Sequence, residues 1–132
     1  MQRLTERSLT LGAALCIAAP LAAQGHTTHR HPAGAKIIMP GVVVEPVCRF
    51  AQRLEGAALQ DCVRHISDQD FHPALLASDS MLYLLHASST TGPDTRARLR
   101  QLVGQSVKVD GTVFPAANAY LIVVDSIRTT IP

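Results

Sequence analysis

The segment from Gly104 to Ile127 constrains the fold of this chain more than any other stretch. In Gln105–Val113 valines alternate with polar residues, which is the period of two of a half-buried strand. Gly111 interrupts the apolar side, as a glycine does at a bulge or a sharp bend in a small barrel. Tyr120–Ile127 opens with five large apolar residues and predicts the return strand, with residues 115–118 as the connection. Because a two-stranded ribbon is only marginally stable alone, the preceding chain must supply more strands.

Three further strands are predicted upstream. Ile37–Phe50 is rich in β-branched residues, but its two prolines, one of them Pro40, remove donors from the ladder. This first strand is therefore expected to be short or to lie partly at a sheet edge, and to end near Cys48. Phe71–Ser78 and Met81–Ala87 predict two strands joined by a tight turn.

The apolar spacing changes to that of helices in two places. Over Ala51–Ser67 a helical stripe is formed by Leu54, Ala58, Cys62 and Ile66, with Leu59 and Val63 beside it. Pro93 suits a first helical position and precedes a second helix, Asp94–Val103. The order strand, helix, strand, strand, helix, strand, strand predicts a mainly β fold with two short helices. It is that of a five-stranded OB-like barrel with an inserted helix after strand 1.

The ending GQSVKVDGTV…YLIVVDSI resembles a pattern found in small exported bacterial proteins with an OB-like barrel, Gly-x-x-Val-x-Val-x-Gly-x-Val … Ile-x-Val-x-x-Ile. The resemblance covers about residues 37–128, and its other elements are Gly41–Val44, Cys48, Cys62 and Leu82–Leu85. It implies the fold and export, since that group has no assigned activity. In the group a further cysteine often follows three residues after the helix cysteine, where this chain has His65, so the resemblance implies no shared metal or redox role.

The first 23 residues have the pattern of an export signal. Arg3 and Arg7 precede the short apolar run Leu9–Leu21, which cannot span a bilayer, and small residues ending at Ala23 suit cleavage. Cys16 lacks the small preceding residue of a lipoprotein signal. The protein is therefore expected to be exported, to the periplasm, with no stable membrane insertion after the signal is removed.

Three segments are thus predicted: a signal peptide (1–23), a flexible His-containing tail (24–36) and an OB-like domain (37–132). After cleavage, ten basic and nine acidic residues remain, which argues against a nucleic-acid or membrane-surface partner. The chain contains no Gly-x-Ser-x-Gly, His-Glu-x-x-His, phosphate-loop or Cys-x-x-Cys motif, so an enzyme is not expected. We therefore predict a binding or structural module. Its partner would be a small ligand or a protein, and a protein would dock along an open edge of the barrel.

Cys48 and Cys62 allow two interpretations. In an exported protein they favour a disulfide, whose closed loop would add roughly 3 kcal/mol of stability and pin the helix to the end of the first strand. If reduced, they could join His65, one helical turn after Cys62, to present two thiolates and an imidazole to Cu(I) or Zn(II). These interpretations exclude each other, because oxidised sulfurs are poor ligands.

The alternative function is a periplasmic metal-handling protein for copper or nickel. Cleavage after Ala23 would leave Gln24-Gly25-His26 at the new terminus, where an amine, two amides and an imidazole form a square-planar set for Cu(II) or Ni(II). His29 and His31 could add capture sites. Cyclisation of Gln24 would remove the amine, and the competing interpretation is a solvated tail.

The other polar side chains favour structural roles. His72 and His86 are expected to be surface residues at strand ends. Arg96 and Arg100 share one side of the second helix, and Arg98 is displaced from it. All three arginines are expected to be exposed to solvent.

Overall fold

The computed structural model describes residues 32–88 and 92–130. The five strands are β1 (Ala35–Val44), β2 (Ala74–Ala77), β3 (Leu82–Ala87), β4 (Ser106–Ala116) and β5 (Ala119–Thr129). The helices are α1 (Gly56–His65) and α2 (Gly92–Gln101), and a single π-helical turn, Val47–Ala51, follows β1. Within these ranges no helix is both long and apolar enough to cross a bilayer. The predicted signal peptide lies outside the described residues.

The strands close into a barrel in the order β1-β2-β3-β5-β4, with β4 returning to β1. The pairing of β3 with β5 is parallel and the other four pairings are antiparallel. Alternate residues point inward, so that Val107, Val109 and Val113 of β4 are fully buried beside Ile122 of β5. The expected five-stranded OB-like barrel with a helix inserted after β1 is confirmed.

A bulge lies where the glycine in β4 predicted one. The register of β4 against β5 shifts between Asp110 and Gly111, and Asp125 of β5 is the residue that this shift leaves over. A side chain on Gly111 would place its Cβ only 2.4 Å from the carbonyl oxygen of Val123. The glycine therefore allows the two strands to approach closely where the barrel bends.

The first strand differs from its predicted limits. β1 begins two residues earlier, at Ala35, and ends at Val44 instead of near Cys48. Glu45 is almost wholly buried, and its carboxylate accepts a hydrogen bond of 2.7 Å from the backbone N–H of Cys48. Its carbonyl also accepts the N–H of Arg49, so the chain turns into the π-helical segment instead of continuing as a strand.

Pro40 is accommodated inside β1. The N–H of Val43 donates to the carbonyl of Gln105, and backbone groups alternate along an antiparallel strand, so the nitrogen of Pro40 faces away from β4. On that other side β2 pairs with β1 only from Gly41 onward. Within the described residues the first half of β1 thus has one edge without a strand partner, which confirms the expected partial edge strand.

Helix α1 is shorter than predicted, and one residue of its predicted apolar stripe is exposed. It begins at Gly56, whose φ of 54° lies in the left-handed region, so the residues before it turn instead of joining the helix. Leu59 and Val63 are buried against the core, whereas Ala58 of the predicted stripe is exposed. Leu54, Cys62 and Ile66 of that stripe are partly buried and pack against the same core, so the predicted apolar side is confirmed except at Ala58.

The connection between β4 and β5 is also shorter than predicted. Pro115 and Ala116 still pair with Tyr120 and Ala119, so the turn consists of residues 117 and 118 alone. A two-residue hairpin loop needs left-handed backbone to match the strand twist, and Ala117 supplies it with a φ of 45°.

Candidate functional site

A disulfide joins Cys48 to Cys62, with their Cα atoms 6.1 Å apart. Cys48 is fully buried and Cys62 is partly buried. The predicted disulfide is confirmed, although it anchors α1 to the π-helical turn (Val47–Ala51) and not to the end of a strand. In this linked form the two sulfurs do not offer thiolates to a metal ion.

His65 lies close to the disulfide on the surface of α1. It is exposed, and its Nδ1 lies 2.8 Å from the carbonyl oxygen of Asp61. A hollow of about 480 Å³ is lined by both His65 and Cys62. Asp61 lines it too, and a hydrogen bond from Arg64 lowers the pKa of that carboxyl. Sequence spacing therefore correctly placed Cys62 and His65 on one patch.

No metal site accompanies this patch in the part of the chain that is described. Within residues 32–88 and 92–130 no three His, Cys, Asp or Glu side chains are grouped so that they could hold an ion. His26, His29 and His31 lie outside the described residues. Copper or nickel capture by the tail remains a prediction.

A larger cleft, of about 600 Å³, opens between α2 and the end of β3. Apolar residues Ala87, Pro93 and Ala97 form part of its wall, and the polar residues there are Asp68, His86, Arg96, Arg100 and Gln101. Strand alternation accounts for His86, because Tyr83 and Leu85 point into the core and even-numbered residues point outward. Helix spacing accounts for Arg96 and Arg100, which lie one turn apart on the same side.

Arg96 and Arg100 do not lie on a solvated face of α2, so the expectation that they would was wrong. Arg96 donates to the carbonyl oxygens of Phe71, at 2.6 Å, and of Asp68, and Arg100 bonds the Asp68 carboxylate at 2.9 Å. Their guanidinium carbons lie 5.6 and 4.4 Å from the centre of the buried Phe71 ring. The loop before β2 has carbonyl groups that need donors, and planar guanidinium groups supply them while stacking on the ring. Only Arg98 is exposed as expected.

The histidines at strand ends behave as expected, yet they differ in position. His72 and His86 are both exposed. Only His86 lines the cleft. The cleft itself was not predicted, since it depends on how α2 packs against β3, and the sole sequence signal for it was the shared face of Arg96 and Arg100.

No protein-family model, curated protein or solved structure matches this chain. The cleft must therefore be interpreted from its own side chains, and the resemblance to exported bacterial proteins stays an expectation.

Proposed function

We propose that this protein is an exported, disulfide-stabilised OB-like module that binds a small molecule in the cleft between α2 and the end of β3. The observation that supports this proposal is the cleft. Its volume, about 600 Å³, is typical of small-molecule sites, and so is its lining of apolar wall with a few convergent polar groups.

The walls of the cleft are held in place before any ligand arrives. Arg100 fixes α2 to the loop before β2 through the carbonyl of Ile66, at 3.0 Å, and the carboxylate of Asp68. Leu99, on the same helix, is buried in the core. A preformed cavity loses little conformational freedom on binding, which favours a binding role.

Export is supported by the pattern of residues 1–23 and by the disulfide, which is compatible with an oxidising compartment. The test is cell fractionation with the intact mass measured with and without reductant. We expect a periplasmic chain that begins at Gln24 and gains two hydrogens on reduction. A cytoplasmic chain that retains residues 1–23 would contradict this part of the proposal.

The cleft can be tested by filling it. Ala97 is exposed and lines the cleft, so Ala97→Trp should block ligands while preserving the fold. Ala57→Trp is the matched control, because Ala57 is exposed on α1 and lines neither cavity. We expect small molecules found by ¹H–¹⁵N NMR screening to bind wild type and the control but not Ala97→Trp. Ligands that bind all three equally would exclude the cleft as the site.

A further inference from the structure

Among the described side chains of the cleft, one positive charge has no acidic counterpart. Asp68 supplies the only carboxylate on the described wall, and it pairs with Arg100 at 2.9 Å. Arg96 forms no ion pair with any carboxylate of the described residues, since its partners are the neutral carbonyls of Asp68 and Phe71. An anionic group entering the cleft would therefore meet a net positive wall.

Arg96 is both anchored and available to a ligand. Both of its hydrogen bonds come from Nη2, so Nε and Nη1 have no partner among the described residues. Its guanidinium carbon lies 5.6 Å from the centre of the Phe71 ring. A guanidinium has five N–H donors, and the two hydrogen bonds use two of them. The other three belong to a group that is already fixed in place. Fixed, charged donors form the strongest hydrogen bonds to anions.

Two further donor side chains line the cleft. His86 at the end of β3 and Gln101 at the end of α2 both line the cleft and are exposed. Neither side chain has a hydrogen-bond partner within residues 32–88 and 92–130. An imidazole or amide N–H can donate to the same anionic group that Arg96 contacts.

Volume and wall composition indicate the rest of the ligand. A cleft of about 600 Å³ is much larger than an inorganic anion, and Ala87, Pro93 and Ala97 offer it an apolar surface. We propose that the ligand is a small organic anion. Arg96 and His86 bind its charged group, and its apolar body lies along the alanine and proline wall. This inference rests on the proposed function and specifies the ligand class of the same cleft.

The test compares a charged probe with its neutral counterpart. Benzoate, benzyl alcohol and inorganic phosphate are each titrated into the oxidised protein, with ¹H–¹⁵N shifts giving the Kd. We expect benzoate to shift the amides of Ala87, Ala97 and Gln101. It should bind about tenfold more tightly than benzyl alcohol, which lacks the charge-assisted hydrogen bond.

Variants assign the charge to one residue. Arg96→Gln should weaken benzoate about tenfold. The matched control is Arg98→Gln, which removes the same charge from the same helix at an exposed position that does not line the cleft, and it should leave the Kd within about twofold. Because Arg96 also holds the loop before β2, His86→Ala provides a second variant, which removes the imidazole donor at an exposed residue and is expected to weaken benzoate about threefold.

Each outcome bears on the inference. Equal affinity for benzoate and benzyl alcohol, or equal losses in Arg96→Gln and Arg98→Gln, would overturn the anionic ligand. Phosphate binding as tightly as benzoate would overturn the organic body. If the screen yields only neutral ligands that Ala97→Trp abolishes, this inference fails and the proposed function stands. Ligands insensitive to Ala97→Trp would remove the proposed function itself.

Discussion

Gly111 shows how one missing side chain shapes this barrel. Its φ does not require glycine, but a Cβ there would approach the Val123 carbonyl to 2.4 Å and the Ile122 side chain to 2.9 Å. Gly41 is similar, with the carbonyl of Leu76 only 2.7 Å from a would-be Cβ. Glycine is needed at both positions because neighbouring backbones come too close for any side chain.

The first prediction concerns this close approach. Gly111→Ala should lower the free energy of unfolding by about 1–3 kcal/mol, because the strands must shift to admit the methyl group. The measurement is urea denaturation followed by circular dichroism. Gly92→Ala is the control: it lies in a helix, and no atom from elsewhere in the described fold lies within 4 Å of its would-be Cβ, so stability should stay the same or rise slightly. Equal effects of the two substitutions would show that steric contact is not the cause.

Tyr83, a second single residue, makes a pH-dependent contribution to the stability of the fold. Its side chain is almost fully buried, and burial, followed by the charge of Asp79, raises the pKa of its hydroxyl above the ordinary value. Because the folded pKa exceeds the unfolded one, the native state favours protonated Tyr83. This stabilisation is complete below the unfolded pKa of about 10 and is lost as the pH rises through the folded pKa.

We therefore expect wild type to lose more stability than Tyr83→Phe between neutral pH and pH values above about 10. The measurement is the urea midpoint of both proteins across that range, and the difference between them cancels the titration of other groups. Parallel curves for the two proteins would contradict the raised pKa.

At the scale of elements, arginines supplement the buried Leu99 in attaching α2 to the rest of the fold. Arg100 is only 21% exposed and contacts the ring of Phe71, the carbonyl of Ile66 and the carboxylate of Asp68. These contacts link α2 to the loop between α1 and β2, a segment that is distant from α2 in the chain. The helix thereby forms one wall of the cleft.

Arg100→Lys should reveal this attachment. Lysine keeps the charge but loses the planar fork and the stacking, so the free energy of unfolding should fall by about 1–3 kcal/mol. Arg98→Lys, on the exposed side of the helix, should change it by less than about 0.5 kcal/mol. Chemical denaturation of both variants gives the comparison, and similar values for the two would show that the Arg100 contacts contribute no net stability.

At the scale of the whole molecule, a small barrel is supplemented by one covalent link. A domain of this size buries only a moderate fraction of its surface, so its stability margin is narrow. The disulfide joins cysteines 14 positions apart and holds α1 against the π-helical turn that follows β1. The link therefore restricts the unfolded chain and keeps α1 close to the barrel.

Removing the link should cost stability throughout the molecule. The double substitution Cys48→Ala and Cys62→Ala should reduce the free energy of unfolding by about 3 kcal/mol, mainly because the unfolded chain gains freedom. Reduced wild type is the control, since it loses the link without any change of residue, and it should show a similar loss. An unfolding midpoint insensitive to reductant would contradict a stabilising role.

Local patterns were enough to predict most elements of this fold. The alternation in β4, the bulge at Gly111 and the helical spacing before Cys62 each depend on residues close in sequence. Two cysteines together with the predicted export signal likewise favoured the disulfide. Element order then restricted the topology to an OB-like barrel, because few sheets accommodate that succession of strands and helices.

The sequence by itself determined which stretches form strands and helices and in what order, although not where each of them ends, since periodicity and turn residues act over a few positions. Only the tertiary structure decided how Arg96 and Arg100 are used and that a cleft exists at all. Those features depend on contacts between segments far apart in the chain, such as Arg100 with the carbonyl of Ile66. No local pattern specifies such contacts, because they form only when the whole barrel closes and brings α2 beside β3.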